Sequence, residues 1–184
     1  MTKIFAVLIF SGEFLTSLLL LFSLLQPEHR IWPPKSEQAW GRYLTLFLFN
    51  TIAALIIALG ILDWGGNSIP VWLQILGGLL WSGGMGLAVW GMLCLGKGNT
   101  TGIPACLIER GPYRWTRNPQ YLGFILGLIG WGLLSSSTFT LAACAGAIIP
   151  VILAPRVEEP WLLEIYGREY AEYLKRVPRF LLIL

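Results

Sequence analysis

IPVWLQILGGLLWSGGMGLAVWGMLCL, residues 69–95, contains no acidic or basic side chain. A helix needs about 20 such residues to cross about 30 Å of hydrocarbon. It also satisfies its own backbone hydrogen bonds, which water cannot do inside a bilayer. The same reading extends outward along the chain. Residues 43–62 are free of charge, and residues 4–25 carry only Glu13. Two shorter apolar blocks, 121–134 and 138–154, are separated by Ser135-Ser136-Ser137. They predict a tight helical hairpin that need not span the whole bilayer.

Composition agrees with a membrane protein. Of 184 residues, 55% are hydrophobic and 12% charged, about half the charged share of a soluble domain. Mean hydropathy is +0.67. The expected fold is all-α: a polytopic membrane helix bundle of about five helices, the last two a short hairpin, followed by an interfacial C-terminal helical segment. A single integral membrane domain covers 1–184. Residues 1–95 supply three transmembrane helices, and 96–184 a polar loop, the hairpin and the C-terminal segment. Lys3 ahead of an apolar run is reminiscent of a secretory leader. However, Glu13 interrupts the run and Leu24-Leu25-Gln26-Pro27 is no small-residue cleavage site, so the first helix is expected to be retained.

All of the 13 Lys and Arg except Lys3 fall in three segments, 26–42, 96–120 and 156–179. With five crossings these lie on one side, which the positive-inside rule makes cytoplasmic, with the N-terminus outside. Trp32, Trp40, Trp64, Trp115 and Trp161 lie near predicted helix ends and read as interfacial anchors. Gly78, Ser82 and Gly86 repeat at four-residue spacing, which lets a neighbouring helix approach closely; backbone approach to a ligand is the alternative. Gly84-Met85-Gly86 lacks the preceding strand of a dinucleotide fingerprint.

Cys94, Cys106 and Cys144 have no paired spacing, and His29 is the only histidine. That argues against a metal site, haem attachment or a disulfide framework. Cys94 and Cys144 read as small apolar filling. A net charge of +3 spread over these loops is no nucleic-acid signature. Glu13, an acid inside the first helix, is a functional candidate or faces a polar neighbour in the bundle.

Polar residues become dense after residue 96. Lys97-Gly98-Asn99-Thr100-Thr101-Gly102-Ile103-Pro104 is a glycine- and proline-punctuated loop. Pro119 suits the first turn of a helix and Asn118 its N-cap, so the fourth helix is expected to begin with unpaired N–H groups near Arg114 and Arg117. Such a start attracts carboxylate or phosphate; arginines at a membrane surface also serve topology and lipid headgroups. The second cluster is Arg156-Val157-Glu158-Glu159-Pro160. Adjacent carboxylates at the end of a membrane helix are costly unless they face water, a cation or a ligand. Beyond it, Tyr166, Tyr170 and Tyr173 fall on one helical face. Glu164, Arg168, Glu172 and Arg176 form a wet face linked along the helix. Gly167 weakens that helix by about 1 kcal/mol relative to alanine and permits a break.

Gly111-Pro112-Tyr113-Arg114-x-x-Arg117-Asn118-Pro119-x-Tyr121-x-Gly123, followed by Glu158-Glu159-Pro160-x-Leu162-x-x-x-Tyr166-Gly167-x-x-Tyr170-x-x-Tyr173-x-x-x-Val177-Pro178-Arg179, resembles the isoprenylcysteine carboxyl methyltransferase and phospholipid methyltransferase superfamily. Gly96-Lys97-Gly98 is similar to its prokaryotic branch. The resemblance covers residues 82–180. It implies integral-membrane methyl transfer from S-adenosyl-L-methionine, with no Rossmann domain and no metal. It implies a cofactor pocket lined by Tyr113, Arg117, Asn118, Pro119, Tyr121 and Gly123 from the first half, and by Glu158, Glu159 and Tyr170 from the second. Tyr166, Tyr173 and Arg179 would contact the substrate, and Glu159 with Arg156 would serve the chemistry. The chemistry of the donor is compatible: a sulfonium and an ammonium suit carboxylates and aromatic faces, and a carboxylate suits Arg117 and a helix start.

The sequence also departs from the pattern. Asn118 stands where the family often has histidine, and an amide cannot accept a proton near neutral pH. Ala154 stands where isoprenylcysteine enzymes carry an arginine, so a prenylated cysteine is not the assigned acceptor. An acceptor that must lose a proton would turn to Glu159. The partners expected are the bilayer and a lipophilic substrate entering from it. Two other readings stand beside this one: an NADPH-dependent reductase of the sterol reductase type, which calls for further basic residues, and a non-enzymatic membrane scaffold.

Overall fold

The computed structural model describes residues 2–35, 39–103 and 106–181. Those residues hold five α-helices, in order α1 Thr2–Leu25, α2 Trp40–Leu62, α3 Val71–Thr100, α4 Pro119–Ser135 and α5 Thr138–Arg176. Short 3-10 turns lie at Pro27–His29 and Gly111–Arg114, and the described residues hold no strand. α1, α2, α3 and α5 are each long and apolar enough to cross a membrane. The protein is an integral membrane protein with an all-helical fold. The 17-residue α4 is about 25 Å long. It nonetheless runs from one end of the bundle to the other: Tyr121 near its start bonds Glu158, and Ser135 at its finish accepts from Gly65 N in the α2–α3 connection.

Ile9, Ile52, Ile56, Leu59, Ala143 and Cys144 form the core where α1, α2, α4 and α5 meet. Trp131 closes it and donates through Nε1 to Ile56 O at 3.1 Å. Glu13 is buried in α1 against Gly146 of α5, whose missing side chain makes the room it occupies. α3 stands outside this group and packs on α4 through glycines. A Cβ on Gly84 would lie 2.6 Å from Gly123 O, and one on Gly123 would lie 2.5 Å from Gly84 O. Gly77, Gly84 and Gly91 recur every seven residues along that seam. The stripe read from sequence, Gly78, Ser82 and Gly86, lies beside the seam: Gly86 meets nothing and Ser82 is exposed. Spacing alone shows that small residues share a face, not which face is covered.

The two ends differ in chemistry. At one, the serine triplet is latched to the α2–α3 turn: Ser137 Oγ donates to Asp63 Oδ2 at 2.5 Å and accepts from Thr140 N as the N-cap of α5. At the other end lie the basic connections. There α3 kinks at Gly96 (φ 79°) and gains a further turn to Thr100, so the expected loop begins helical; Pro104 lies outside the described residues. Gly102 (φ 77°) packs on Trp32 and Pro34, where a Cβ would meet Pro34 Cδ at 2.7 Å.

The expected C-terminal helical segment follows the hairpin within α5 with no loop between them, and the chain breaks from helical geometry at Gly167, where the sequence permits it. Pro150, Pro155 and Pro160 lie within the helix, and its only non-helical backbone is at Gly167 (φ 52°, ψ −124°). Each proline removes one N–H and leaves the rest of the ladder intact, whereas the Gly167 conformation is open to glycine almost alone. The wet face is linked along the helix at one pair only. Arg168 pairs with Glu172 at 3.8 Å, but Glu164 reaches Arg30 and Arg176 reaches Glu109.

The glycine seam makes a test. Gly123→Val should lower stability by about 1–3 kcal/mol, because the added methyls force α3 and α4 apart. Gly86→Val, on the open face, should stay within about 1 kcal/mol, a helix-propensity effect. Thermal unfolding of the detergent-solubilised variants separates the two.

Candidate active site

The start of α4 is built as a receptor for the end of the chain. After α5, residues 177–179 turn back across the segment before Pro119. Arg117 N donates to Pro178 O at 2.9 Å, Thr116 Oγ1 to Arg179 O at 2.9 Å, and Asn118 Nδ2 to Arg179 O at 3.2 Å. Arg117 Nη1 donates to Leu174 O and Val177 O, both at 3.0 Å. Asn118 holds the N-cap position as expected but makes no side-chain cap bond; its amide nitrogen donates to this tail.

Glu159 closes the same assembly. Arg179 grips it with two bonds, Nε to Oε1 at 2.9 Å and Nη2 to Oε2 at 2.6 Å. Arg117 Nη2 lies 3.3 Å from Oε1. The carboxylate is 9% exposed. Two cations around one buried anion form a charged lock whose parts come from the α4 start, α5 and the tail.

Its neighbour Glu158 faces the other way, into a cleft holding about 740 Å³ of empty space, open mouth included. Glu158 Oε1 accepts from Tyr121 Oη at 2.5 Å and from Trp32 Nε1 at 2.7 Å. Tyr113 stands deeper in the cleft. Its hydroxyl accepts from Gln120 Nε2 at 3.0 Å, its backbone carbonyl accepts from Tyr173 Oη at 2.7 Å, and burial pushes its phenol well above the ordinary value. The phenol thus keeps its proton as a donor. Two atoms on cleft-lining residues, Arg117 Nε and Thr100 Oγ1, are buried without a hydrogen-bond partner. Each such unsatisfied polar atom costs about 1–3 kcal/mol.

The arginine–asparagine–proline turn and the paired acids therefore meet in space. Of the residues singled out in the sequence, Tyr113, Arg117, Asn118 and Tyr121 line the cleft from one side, and Glu158, Tyr166, Tyr170 and Tyr173 from the other. Five do not. Glu159 and Arg179 are spent on the lock. Gly123 lies in the α3–α4 seam, and Pro119 packs against Gly91. Arg156 is exposed and donates to Ile152 O of its own helix at 3.2 Å. One helical step from 156 turns a side chain by about 100°, which is why adjacent polar positions separate so sharply.

Sequence reasoning missed Trp32, Gln120 and Trp161. Trp32 and Trp161 are 6% and 8% exposed, not interfacial anchors. Trp40, Trp64 and Trp115 are 52–66% exposed. The Trp32-Pro33-Pro34 run, a rigid aromatic turn between two spans, was the available signal.

The family model described as phospholipid methyltransferase matches residues 72–169. That is more than half of the chain, from the first turn of α3 to just beyond Gly167. The chain belongs to the phospholipid methyltransferase family. Among curated proteins, it is 29% identical to the cobalt-zinc-cadmium resistance protein CzcN of Cupriavidus metallidurans, over 86% of this chain and 73% of that one. It is 36% identical to the protein-S-isoprenylcysteine O-methyltransferase of Saccharomyces cerevisiae, over 39% of this chain and 30% of that one. It is 27% identical to the steroid 5-alpha-reductase DET2 of Solanum lycopersicum, over 75% of this chain and 55% of that one. No solved structure matches the chain. The family match includes the cleft walls on α4 and α5 but stops short of Tyr170, Tyr173 and Arg179, and begins well after Trp32. In this phospholipid methyltransferase family member, the parts that close the cleft thus lie beyond the matched region.

Removing Glu159 leaves two guanidiniums facing each other with no buried anion between them. Glu159→Ala should cost about 3–5 kcal/mol, read as a large fall in the unfolding temperature. Arg156→Ala should change stability by no more than about 0.5 kcal/mol.

Proposed function

We propose that this protein transfers a methyl group from S-adenosyl-L-methionine to a lipophilic acceptor, in the cleft at the basic end of the bundle. The observation that carries this reading is the cleft's complement of unspent groups. Glu158 offers an oxygen without a donor, Arg117 is the cation on the lining, and Tyr121, Tyr170 and Trp161 supply aromatic walls. An ammonium suits the carboxylate, a carboxylate suits Arg117, and a sulfonium or adenine suits the rings. S-adenosyl-L-methionine held there would supply a methyl group on a sulfonium, the sulfur keeping the bonding pair as an uncharged thioether when an acceptor lone pair takes the methyl. What the chain contributes is alignment and exclusion of water, the terms that matter most for such a displacement.

The basic end would face the cytoplasm, where the positive-inside rule puts it and where the methyl donor is made. The acceptor would come from the bilayer, since apolar helix faces surround the cleft. Phospholipid amines, prenylcysteine-like carboxylates and other small amphiphiles share that property. Glu159, bound by two arginines, is withdrawn from the role of general base. Glu158 is the acid that lines the cleft, so an acceptor that is already a carboxylate fits with least demand.

The likeness to a steroid reductase gives the NADPH reading its support. Against it stands the cleft's charge. Among the described residues that line it, Arg117 is the one cation, and it is shared with Glu159. Nothing there answers a 2′-phosphate.

Calorimetry on the purified protein in detergent should find binding of S-adenosyl-L-methionine and of S-adenosylhomocysteine. Tyr121→Phe and Glu158→Gln should each weaken it about tenfold, the scale of one charge-assisted hydrogen bond. Binding of NADPH alone would sink the proposal. Membranes fed radiolabelled methyl donor should carry the label in the lipid extract; label confined to water-soluble products would refute the lipophilic acceptor.

A further inference from the structure

We propose that Trp32 is a positioning residue for this site: with Tyr121 it fixes Glu158 by one oxygen and leaves the other as the acceptor for a cationic amino group of the ligand. This rests on the methyl-donor reading and adds to it a residue outside the matched family region.

Trp32 is held on every side. Ser23 Oγ, 2% exposed in α1, accepts from Ile31 N at 3.0 Å and from Trp32 N at 3.2 Å. The ring packs with Leu20, Ala154 and Val157, and Gly102 covers its edge, where a Cβ would lie 3.2 Å from the ring. An indole so confined presents its N–H in one direction, and that direction ends on Glu158 Oε1 at 2.7 Å. Tyr121 Oη arrives at the same oxygen. Among the described residues Oε2 takes no hydrogen bond, and it is not one of the sealed, unpartnered atoms. It therefore opens on the cleft that Glu158 lines.

The choice of donors matters. Glu159 is bound by two guanidiniums, and its charge is cancelled on the spot. Glu158 is bound by an indole and a phenol, which orient a carboxylate without supplying a positive charge. A neutral clamp keeps the anion available to an incoming cation, whereas an arginine would have consumed it. The adjacent acids thus divide the work, one locking the fold and one presenting charge to the cleft.

The test compares two ligands by calorimetry. S-adenosylhomocysteine carries the ammonium, and 5′-methylthioadenosine lacks the amino-acid portion. Trp32→Phe should weaken S-adenosylhomocysteine binding about tenfold and leave methylthioadenosine within about twofold. In a Glu158→Gln background the same substitution should add nothing further, because its route to the ligand is gone. If both ligands lose affinity equally, or the loss persists in that background, Trp32 is merely structural and the proposal is overturned. Should Trp32→Phe not elute as a monodisperse species, benzothienylalanine at position 32 keeps the ring shape and deletes only the N–H, and the same outcomes decide. Failure of the unaltered protein to bind S-adenosylhomocysteine would be a different result, overturning the methyl-donor reading and this inference with it.

Discussion

Glu159 lies between Arg117 and Arg179, with its two oxygens contacted at 3.3 Å, 2.9 Å and 2.6 Å. A carboxylate withdrawn from water at the end of a membrane helix is tolerable only with such company. The pairing has consequences well beyond charge. Arg117 precedes α4, Glu159 belongs to α5 and Arg179 follows it, so the three must meet for any of them to be stable. Leu174 O, Val177 O and Pro178 O lie on Arg117 as well, and between them and Glu159 the break at Gly167 precedes the buried Tyr170 and Tyr173. The cleft exists because this lock draws the tail over the start of α4.

The rest of the bundle keeps that arrangement in register. α3 and α4 touch backbone to backbone through glycines, which suits a bilayer where association relies on close packing and not on expulsion of water. The far end is closed by Ser137 on Asp63 and by Gly65 N and Asn67 N, which donate to Ser135 O and Ser136 O in the opposite turn. With both ends of α4 tied down, Tyr121 and Gln120 are presented to the cleft at fixed depth. The first connection then completes the wall, because Trp32 packs against Gly102 and bonds Glu158.

The paired acids show how one helical step separates roles. Position 158 faces the cleft, position 159 faces the tail, and position 156 faces outward. A ligand-facing carboxylate held by neutral donors and a structural one held by arginines answer two different physical needs, although they stand side by side in the chain.

Length and apolarity of the blocks were sufficient to determine that this is an all-helical membrane bundle, since hydrocarbon accepts little else. They also determined that α4 and α5 form a hairpin, because Ser135–Ser136–Ser137 leaves no room for anything longer. The clusters 111–123 and 158–179 announced themselves as polar residues too costly to place near lipid without a purpose. Tertiary structure decided the remainder. Which glycines face a neighbour depends on the rotation of α3, which no spacing reveals. That α5 runs on through Pro150, Pro155 and Pro160 was likewise not legible from residue types that usually end a helix. Whether Glu158 or Glu159 meets the cleft, and whether Trp32 faces lipid or a carboxylate more than a hundred residues away, depends on packing between elements distant in sequence. Residue types and spacing record what a position requires; only the assembled bundle determines which partner supplies it.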